Sequence, residues 1–453
     1  MRKVVISIII AISGLKGQPT YSVQWIDTLN LGVLDIGVGV SVGPNDKIYA
    51  TGHFWNGSDL DILLLKMGEN GEIIWCDTLS QGHLEYASDV YADSSGNLYL
   101  AGYTAHNFHY TYLIYKLDTS GNVVWMDTIQ NGTMWARAHV TTDQAGGVLV
   151  TGNVISTHGL DIFLRKYTDN GNRIWSRTYD FGHDDDAMGI TVSSDGFIYI
   201  GGKSNNGAND DFFVMKLDSS GNIVWTKRLD YGGMDQAWGI TLGMDGFVYA
   251  AGQKGPSSTP DLLVVKLDPV TGDTVWTRVF SRGHKDFGRG ITVDSDNHIF
   301  VTGSSSNASN NDFVLLGFSS DGSLFLVDTL DLDSTDVGED ISVDSRGNIF
   351  ISGYSIISNR DFIVLKYEKQ VGISEDLSVP NFRVSTPSLR TVKVDYEAEG
   401  NFSLIDASGR TIQREYVTGK GSLSFNVSSP GIYFLLYRGS SGEKYTSKVL
   451  VIR

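Results

Sequence analysis

The chain has 453 residues, more than one ordinary compact core supports unless the fold is closed or repetitive. Its 52 glycines against 8 prolines, with abundant Asn, Asp and Ser, point to many tight turns and so to many short strands. With 35 basic and 52 acidic residues the net charge is −17, which argues against nucleic acid and anionic membrane surfaces as partners.

The first residues, MRKVVISIIIAISGLKGQ, combine a positive start at Arg2 and Lys3 with an apolar run from Val4 to Ile12 and small residues up to Gly17. This pattern predicts an export signal over residues 1–17 and an extracytoplasmic location, secreted or at the outer cell surface. The competing reading is a buried N-terminal strand. The apolar run is too short to cross a bilayer as a helix, and no later segment resembles a span. Cys76, the single cysteine, excludes an intramolecular disulfide. Met126, Ser176 and Thr226 hold its place in later repeats, so it is read as a packing position.

Trp25, Trp75, Trp125, Trp175, Trp225 and Trp276 recur at a nearly constant interval, continued by Leu326. A second series, Gly52, Gly102, Gly152, Gly202, Gly252, Gly303 and Gly353, ends strand-like runs such as KIYATG and FIYIGG. A third is the acid opening runs such as DILLLK and DFFVMK: Asp61, Asp161, Asp211, Asp261, Asp312 and Asp361, with Thr111 breaking it. Each unit holds four strand candidates joined by Gly-containing turns, which is the content of a propeller blade. A Trp strand around Trp25 precedes the first set of three other strands, and no Trp strand follows the last set near Lys369. The first strand is therefore expected to complete the last blade, giving an all-β fold with a closed seven-bladed propeller over residues 18–369.

The unit GITVSSDGFIYIGG…DDFFVMKLDSSGNIVW resembles the SBBP-type bacterial β-propeller repeats over roughly residues 21–369, a family that implies a propeller in an extracytoplasmic setting but no common activity. KLDPVTGDTVW and KLDSSGNIVW also resemble the docking motif of quinoprotein dehydrogenase propellers. Those enzymes usually have eight blades and adjacent cysteines, which seven blades and Cys76 alone do not match. After a polar linker at 370–384, residues 385–453 carry LIDASGRTI, PGIYFLLY and the terminal YTSKVLVIR. They are expected to form a small β-sandwich, and they are similar to the C-terminal sorting domain of the type IX secretion system. The resemblance implies the secretion machinery as a partner, with passage across an outer membrane. STPSL stands where that family has Asn-Pro before its first strand. An Ig-like adhesive module is the alternative.

Residue types repeated in every blade are expected to be scaffold. This covers the Trp series, the strand-opening acids, the Lys series from Lys66 to Lys366, and Asp35, Glu85, Asp185, Asp235, Asp286 and Asp336 before the first strands. The last set is expected to accept hydrogen bonds from backbone N–H groups between blades. A single function belongs where the repeat is broken. The loops joining strands 2–3, and blade to blade, are expected to be the longer and more diverse ones and to carry it. There, Phe54, Trp55, His106, Phe108, His109, Tyr110 and Trp135 form a candidate ligand platform, or else cover one another.

Along the innermost strands one column reads Val38, Ser88, Ala138, Met188, Trp238, Arg289 and Glu339, and the next includes Asp89, His139 and Asp340. Asp89, His139, Trp238, Arg289, Glu339 and Asp340 are the channel candidates, with His139 the nearest to a catalytic group. The Asp184–Asp186 run is expected to be solvated, and no zinc pattern, nucleophile elbow or phosphate loop occurs. No cofactor and no metal are expected. The reading is a binding or structural propeller whose ligand is a glycan or protein; the alternative is a polysaccharide-acting hydrolase or lyase on the loop-rich face.

Overall fold

The computed structural model describes residues 2–4, 19–107, 109–133, 137–307, 310–332, 334–356, 360–370, 381–388, 391–397, 399–406, 411–426, 431–439 and 444–451. Most of the expected export signal, together with Phe108 and Trp135, lies outside the described residues. The chain divides into two compact units, one of residues 27–365 with 1–3, the other of residues 366–453 with 4–26.

Seven antiparallel sheets follow one another in blade order, as predicted; six hold four strands each, and the seventh holds its four and a fifth, Arg2–Val4, at its outer edge. The fourth blade is typical: Asp185–Val192 innermost, then Ile198–Asn205, Asp210–Leu217 and Ile223–Leu229. The second and third strands are almost entirely buried because neighbouring blades cover both of their faces, so they read as continuous apolar runs. The N-terminal strand Thr20–Leu29 lies beside Arg360–Gln370, the third strand of the seventh blade, and supplies its fourth. At the blade's end Asn30 Nδ2 donates to Asp361 Oδ1 at 2.7 Å. The ring closes as the strand count requires.

Neighbouring blades are joined by one repeated contact. Trp125 on the outer strand of the second blade and Lys116 beside it both donate to the carbonyl of Asp169, at 2.9 and 3.3 Å, in the strand 3–4 turn of the third. Trp225 and Lys216 do the same to Pro269, and Trp276 and Lys266 to Ser320. The turn glycine meets the ring. Gly171 has φ +81°, and a Cβ there would lie 2.8 Å from the Trp125 ring. The Trp and Lys series are thus scaffold. Cys76, expected to pack, is exposed. Alternation along the outer strand turns Trp75 toward the next blade and leaves its neighbour on the rim.

The acids before the first strands act as expected. Asp35 Oδ2 accepts from Leu31 N at 2.7 Å, Asp185 from Phe181 N at 2.8 Å, Asp235 from Tyr231 N at 2.6 Å and Asp336 from Leu332 N at 2.8 Å. All four are fully buried, and burial raises each carboxyl above its ordinary value, Asp336 to about 7. One expectation changes. The strand 2–3 connections are no longer than the turns on the other face: Trp55 and Leu60 flank residues 56–59, and His106 and His109 are directly paired. The segment AHNFHY is therefore mostly strand, because the hairpin ladder runs to its tip.

The second unit holds a three-stranded sheet (Asn381–Ser388, Thr391–Glu397, Lys420–Asn426) and a four-stranded one (Thr411–Val417, Gly400–Asp406, Gly431–Gly439, Lys444–Val451). Tyr396 of the first stands 6.0 Å, ring to ring, from Phe402 of the second. Of the expected linker, residues 371–380 lie outside the described residues and 381–384 already belong to a strand. Among the described residues no helix is long and apolar enough to cross a membrane.

Two predictions follow from this packing. Gly171→Ala places a methyl both at positive φ and against Trp125, whereas Gly246, φ +78°, has nothing within 4 Å of its Cβ position. Urea denaturation should show Gly246→Ala losing roughly 1–2 kcal/mol and Gly171→Ala about 1–3 kcal/mol more. Equal losses would remove the ring contact as a determinant. For Asp336, a raised folded value means stability that is full below the unfolded pKa and is lost as pH rises toward about 7. Asp336→Asn keeps an acceptor for Leu332 N and should gain on the native protein by on the order of 1 kcal/mol per pH unit between pH 5 and 7. Parallel pH profiles for the two proteins would contradict this.

Candidate functional site

The innermost strands, Asp35–Gly43, Leu84–Ala92, His139–Thr142, Asp185–Val192, Gln236–Leu242, Asp286–Val293 and Asp336–Val343, line the central channel. In six of them the pairing slips by one residue, between Gly37 and Gly39, Ala87 and Asp89, Ala187 and Gly189, Ala237 and Gly239, Gly288 and Gly290, and Gly338 and Asp340. The extra residues are Val38, Ser88, Met188, Trp238, Arg289 and Glu339, and all six line the channel cavity of about 360 Å³. A bulge leaves its extra residue outside the ladder, so its side chain is free of the pairing that constrains its neighbours.

The third blade departs from this. Its inner strand pairs from His139↔Thr151 onward without a slip, one residue shorter than the others. Ala138, expected in the channel column, is instead fully buried in the core beside Tyr112 and Phe163. Arg137 reaches the channel in its place. The signal was present in the sequence: Ala138 stands fourteen residues before Gly152, where Ala87 stands fifteen before Gly102.

All six channel candidates are brought together, with Arg137 added. The guanidinium carbons of Arg137 and Arg289 each lie 5.3 Å from the centre of the Trp238 ring. Both arginines donate to Glu339 Oε2, Arg289 at 2.9 Å and Arg137 at 3.3 Å. Burial opposes the charge of Glu339, but Arg289 and Arg137 prevail and hold it below the ordinary range. Four blades thus meet at one cluster.

On the other inner strands, Asp340 Oδ2 accepts from Val40 N at 2.8 Å and Asp89 Oδ2 from Val140 N at 3.0 Å. Each ties its blade to the next one. Burial, with Asp89 adding to it, raises Asp340. His139 Nδ1 is 3.6 Å from Asp89 Oδ2, too far for a hydrogen bond, so the two do not form an oriented catalytic pair. Several buried polar atoms of the lining have no hydrogen-bond partner: Trp238 Nε1, Arg289 Nε, His139 Nε2 and Ser88 Oγ. This arrangement suits holding a polar ligand more than proton transfer.

The aromatic platform is less open than its sequence suggests. Phe54 and Trp55 are half-buried, and Trp55 N donates to Leu34 O at 2.9 Å. Tyr86 stacks on Tyr103 at 4.7 Å, Tyr103 meets Tyr110 at 6.3 Å, and His53 stands edge-on to Tyr86 at 5.1 Å. These rings cover one another. His53, buried and near Arg137, is driven down to about 4 and stays neutral at neutral pH. His106 and His109 are exposed at the hairpin tip, where His106 lies 4.0 Å from His83, ring to ring. His83 was not singled out in the sequence.

Among solved structures, similarity is found to a protein of unknown function from Bacteroides caccae, at 13% identity over 66% of this chain and 94% of that one, TM-score 0.41. Puromycin hydrolase matches at 11% identity over 89% of this chain and 58% of that one, TM-score 0.48. Sqt1 of Chaetomium thermophilum, bound to the N-terminus of the ribosomal protein L10, matches at 10% identity over 93% and 96%, TM-score 0.44. No curated protein matches the chain. Residues 80–109 and 275–310 match the SBBP family, beta-propeller repeat, and the chain carries repeats of that kind.

Proposed function

We propose that this propeller is an exported binding module, taking an extracellular glycan or protein, and that its ligand is held at the channel cluster around Trp238. The observation that carries this reading is that cluster: Arg137, Arg289 and Glu339 fixed around one indole, with Trp238 Nε1 and Arg289 Nε buried and unpartnered. Fixed polar groups in a concave lining are what a binding site supplies to hydroxyl, amide or carboxylate groups. The signal-like N-terminus and the sorting-like last domain support export, and the net charge of −17 speaks against polyanionic ligands.

Thermal shift of the full chain against oligosaccharides and peptides tests the site. A ligand at about 100 times its Kd should add roughly 2.7 kcal/mol to the native state. Trp238→Phe, which keeps a ring and removes the N–H, should abolish that shift while Trp55→Ala leaves it. A shift lost in Trp55→Ala and kept in Trp238→Phe would move the site to the aromatic platform. No shift with any compound would leave a passive structural role, and chain cleavage of an oligosaccharide hit would turn the reading to an enzyme. Export has its own measurement. Protein recovered from culture medium should begin near Gln18, and an intact Met1 there would overturn the leader.

A further inference from the structure

The channel lining holds more hydrogen-bond donors than acceptors to receive them. Trp238 Nε1 and Arg289 Nε are buried without a partner, and each can only donate. Ser88, 7% exposed, has no partner for its Oγ, nor has His139 for its Nε2; these two atoms can donate or accept. Ser88, Trp238 and Arg289 are extra residues of bulges, so the ladder does not dictate where their side chains go. The carboxylates of the lining are already engaged. Glu339 Oε2 takes both arginines, Asp340 takes Val40 N and Ile341 N at 2.8 Å each, and Asp89 takes Val140 N. Among the described residues, no buried carboxylate oxygen of the lining lacks a donor.

The guanidinium of Arg289 shows what would complete it. Its Nη1 donates to Glu339 at 2.9 Å, so Glu339 does not use the edge formed by Nε and Nη2. That edge holds a carboxylate through two parallel hydrogen bonds, a fit that a lysine does not reproduce. Two guanidiniums share one carboxylate at Trp238, which leaves this cluster one positive charge in excess. Burial, with Asp89 adding to it, holds Asp340 toward its neutral form and lessens its opposition to an entering anion.

Resting on the channel cluster as the binding site, we propose that the ligand presents a single sugar carboxylate, a hexuronate, to Arg289 and Trp238. A carboxylate brings only acceptors, which the lining lacks. The groups beside it decide between a sugar acid and a peptide end. A peptide's terminal carboxylate stands next to an amide N–H, one more donor in a lining already rich in them. A hexuronate's stands next to a ring oxygen and hydroxyls, which can accept from Ser88 and His139. The cavity of about 360 Å³ is within the range of small-ligand sites. One charge per chain also avoids the repulsion that the net −17 imposes on a polyanion.

Calorimetric titration of the full chain compares glucuronate, galacturonate, mannuronate and guluronate with their methyl esters, which keep the shape and lose the charge. One or more of the acids should bind, about tenfold or more tighter than its ester. Arg289→Lys, which keeps a charge and loses the two-donor edge, should erase that preference. Ser88→Ala removes a hydroxyl that has no partner in the fold, so it should weaken the acid and leave the melting temperature in place. Acid and ester bound alike, and both lost in Trp238→Phe, would overturn the hexuronate and keep the site. A short peptide bound through its free C-terminus, with no acid bound, would do the same in favour of a protein ligand. Acids bound equally by native and Trp238→Phe proteins would take the site down as well. No acid bound at all would overturn the hexuronate, and the neutral sugars and peptides of the thermal screen would then judge the site by themselves.

Discussion

The contact on which the molecule depends is an indole ring laid on a glycine. Trp75, Trp125, Trp175, Trp225 and Trp276 on the outer strands reach the strand 3–4 turn of the following blade. There, a Lys Nζ and, in three blades, the indole N–H donate to one backbone carbonyl, as Trp225 and Lys216 do at Pro269. The turn needs a residue at positive φ, and the ring needs one without a side chain. Glycine meets both demands at once, so Gly121, Gly171, Gly221 and Gly272 are constrained twice over. The lysine stems lie against tyrosine rings, Lys66 over Tyr49 at 5.3 Å and Lys266 over Tyr249 at 5.1 Å, which adds a cation–π attraction to the lock. Because the contact always runs from one blade to the next in chain order, it fixes the direction of the ring and lets a strand from the N-terminus complete it.

A second constraint acts nearer the axis. Inner strands crowd together, and glycine or alanine sits where a Cβ meets a neighbouring backbone, as Gly39 does against Val90 N at 3.1 Å and Gly290 against Ile341 N at 2.9 Å. The bulges relieve this crowding and in doing so release one residue per blade from the ladder. Those released positions carry Val, Ser, Met, Trp, Arg and Glu, a diversity that no scaffold position shows. Scaffold demands and site freedom are therefore set one residue apart on the same strand.

Much of this was legible in the sequence because it repeats. Blade number, ring closure by residues 20–29, and the backbone-capping acids all follow from types that recur at one interval. What escaped is what a single residue changes. The shortening before Gly152 removes the third blade's bulge, sends Ala138 into the core and Arg137 to the channel, a consequence visible only once the register is known. The run Asp184–Asp186 was expected to be solvated, but only Asp184 is exposed and Asp185 is fully buried, since strand alternation and a loop end meet there. At the aromatic platform the sequence left two arrangements open, and Tyr110 packs against Tyr103, itself stacked on Tyr86, a contact between strand residues that the loop pattern does not show.

At the channel cluster the ring is held across its axis as well as around it. Arg137 belongs to the third blade, Trp238 to the fifth, Arg289 to the sixth and Glu339 to the seventh, so the ion pair from Arg137 to Glu339 crosses blade order, while that from Arg289 joins neighbouring blades. Interblade docking does not require such a bridge, for Trp contacts join the first six blades in turn and Asp340 ties the seventh to the first. A buried carboxylate with two guanidiniums is a weak source of stability, because desolvating three charges offsets most of their attraction, while loss of any one leaves the others uncompensated. An apolar trio in the same positions would pack the channel at lower cost. Charge where packing would serve, at positions that differ from blade to blade, is the ground on which the proposed ligand site rests.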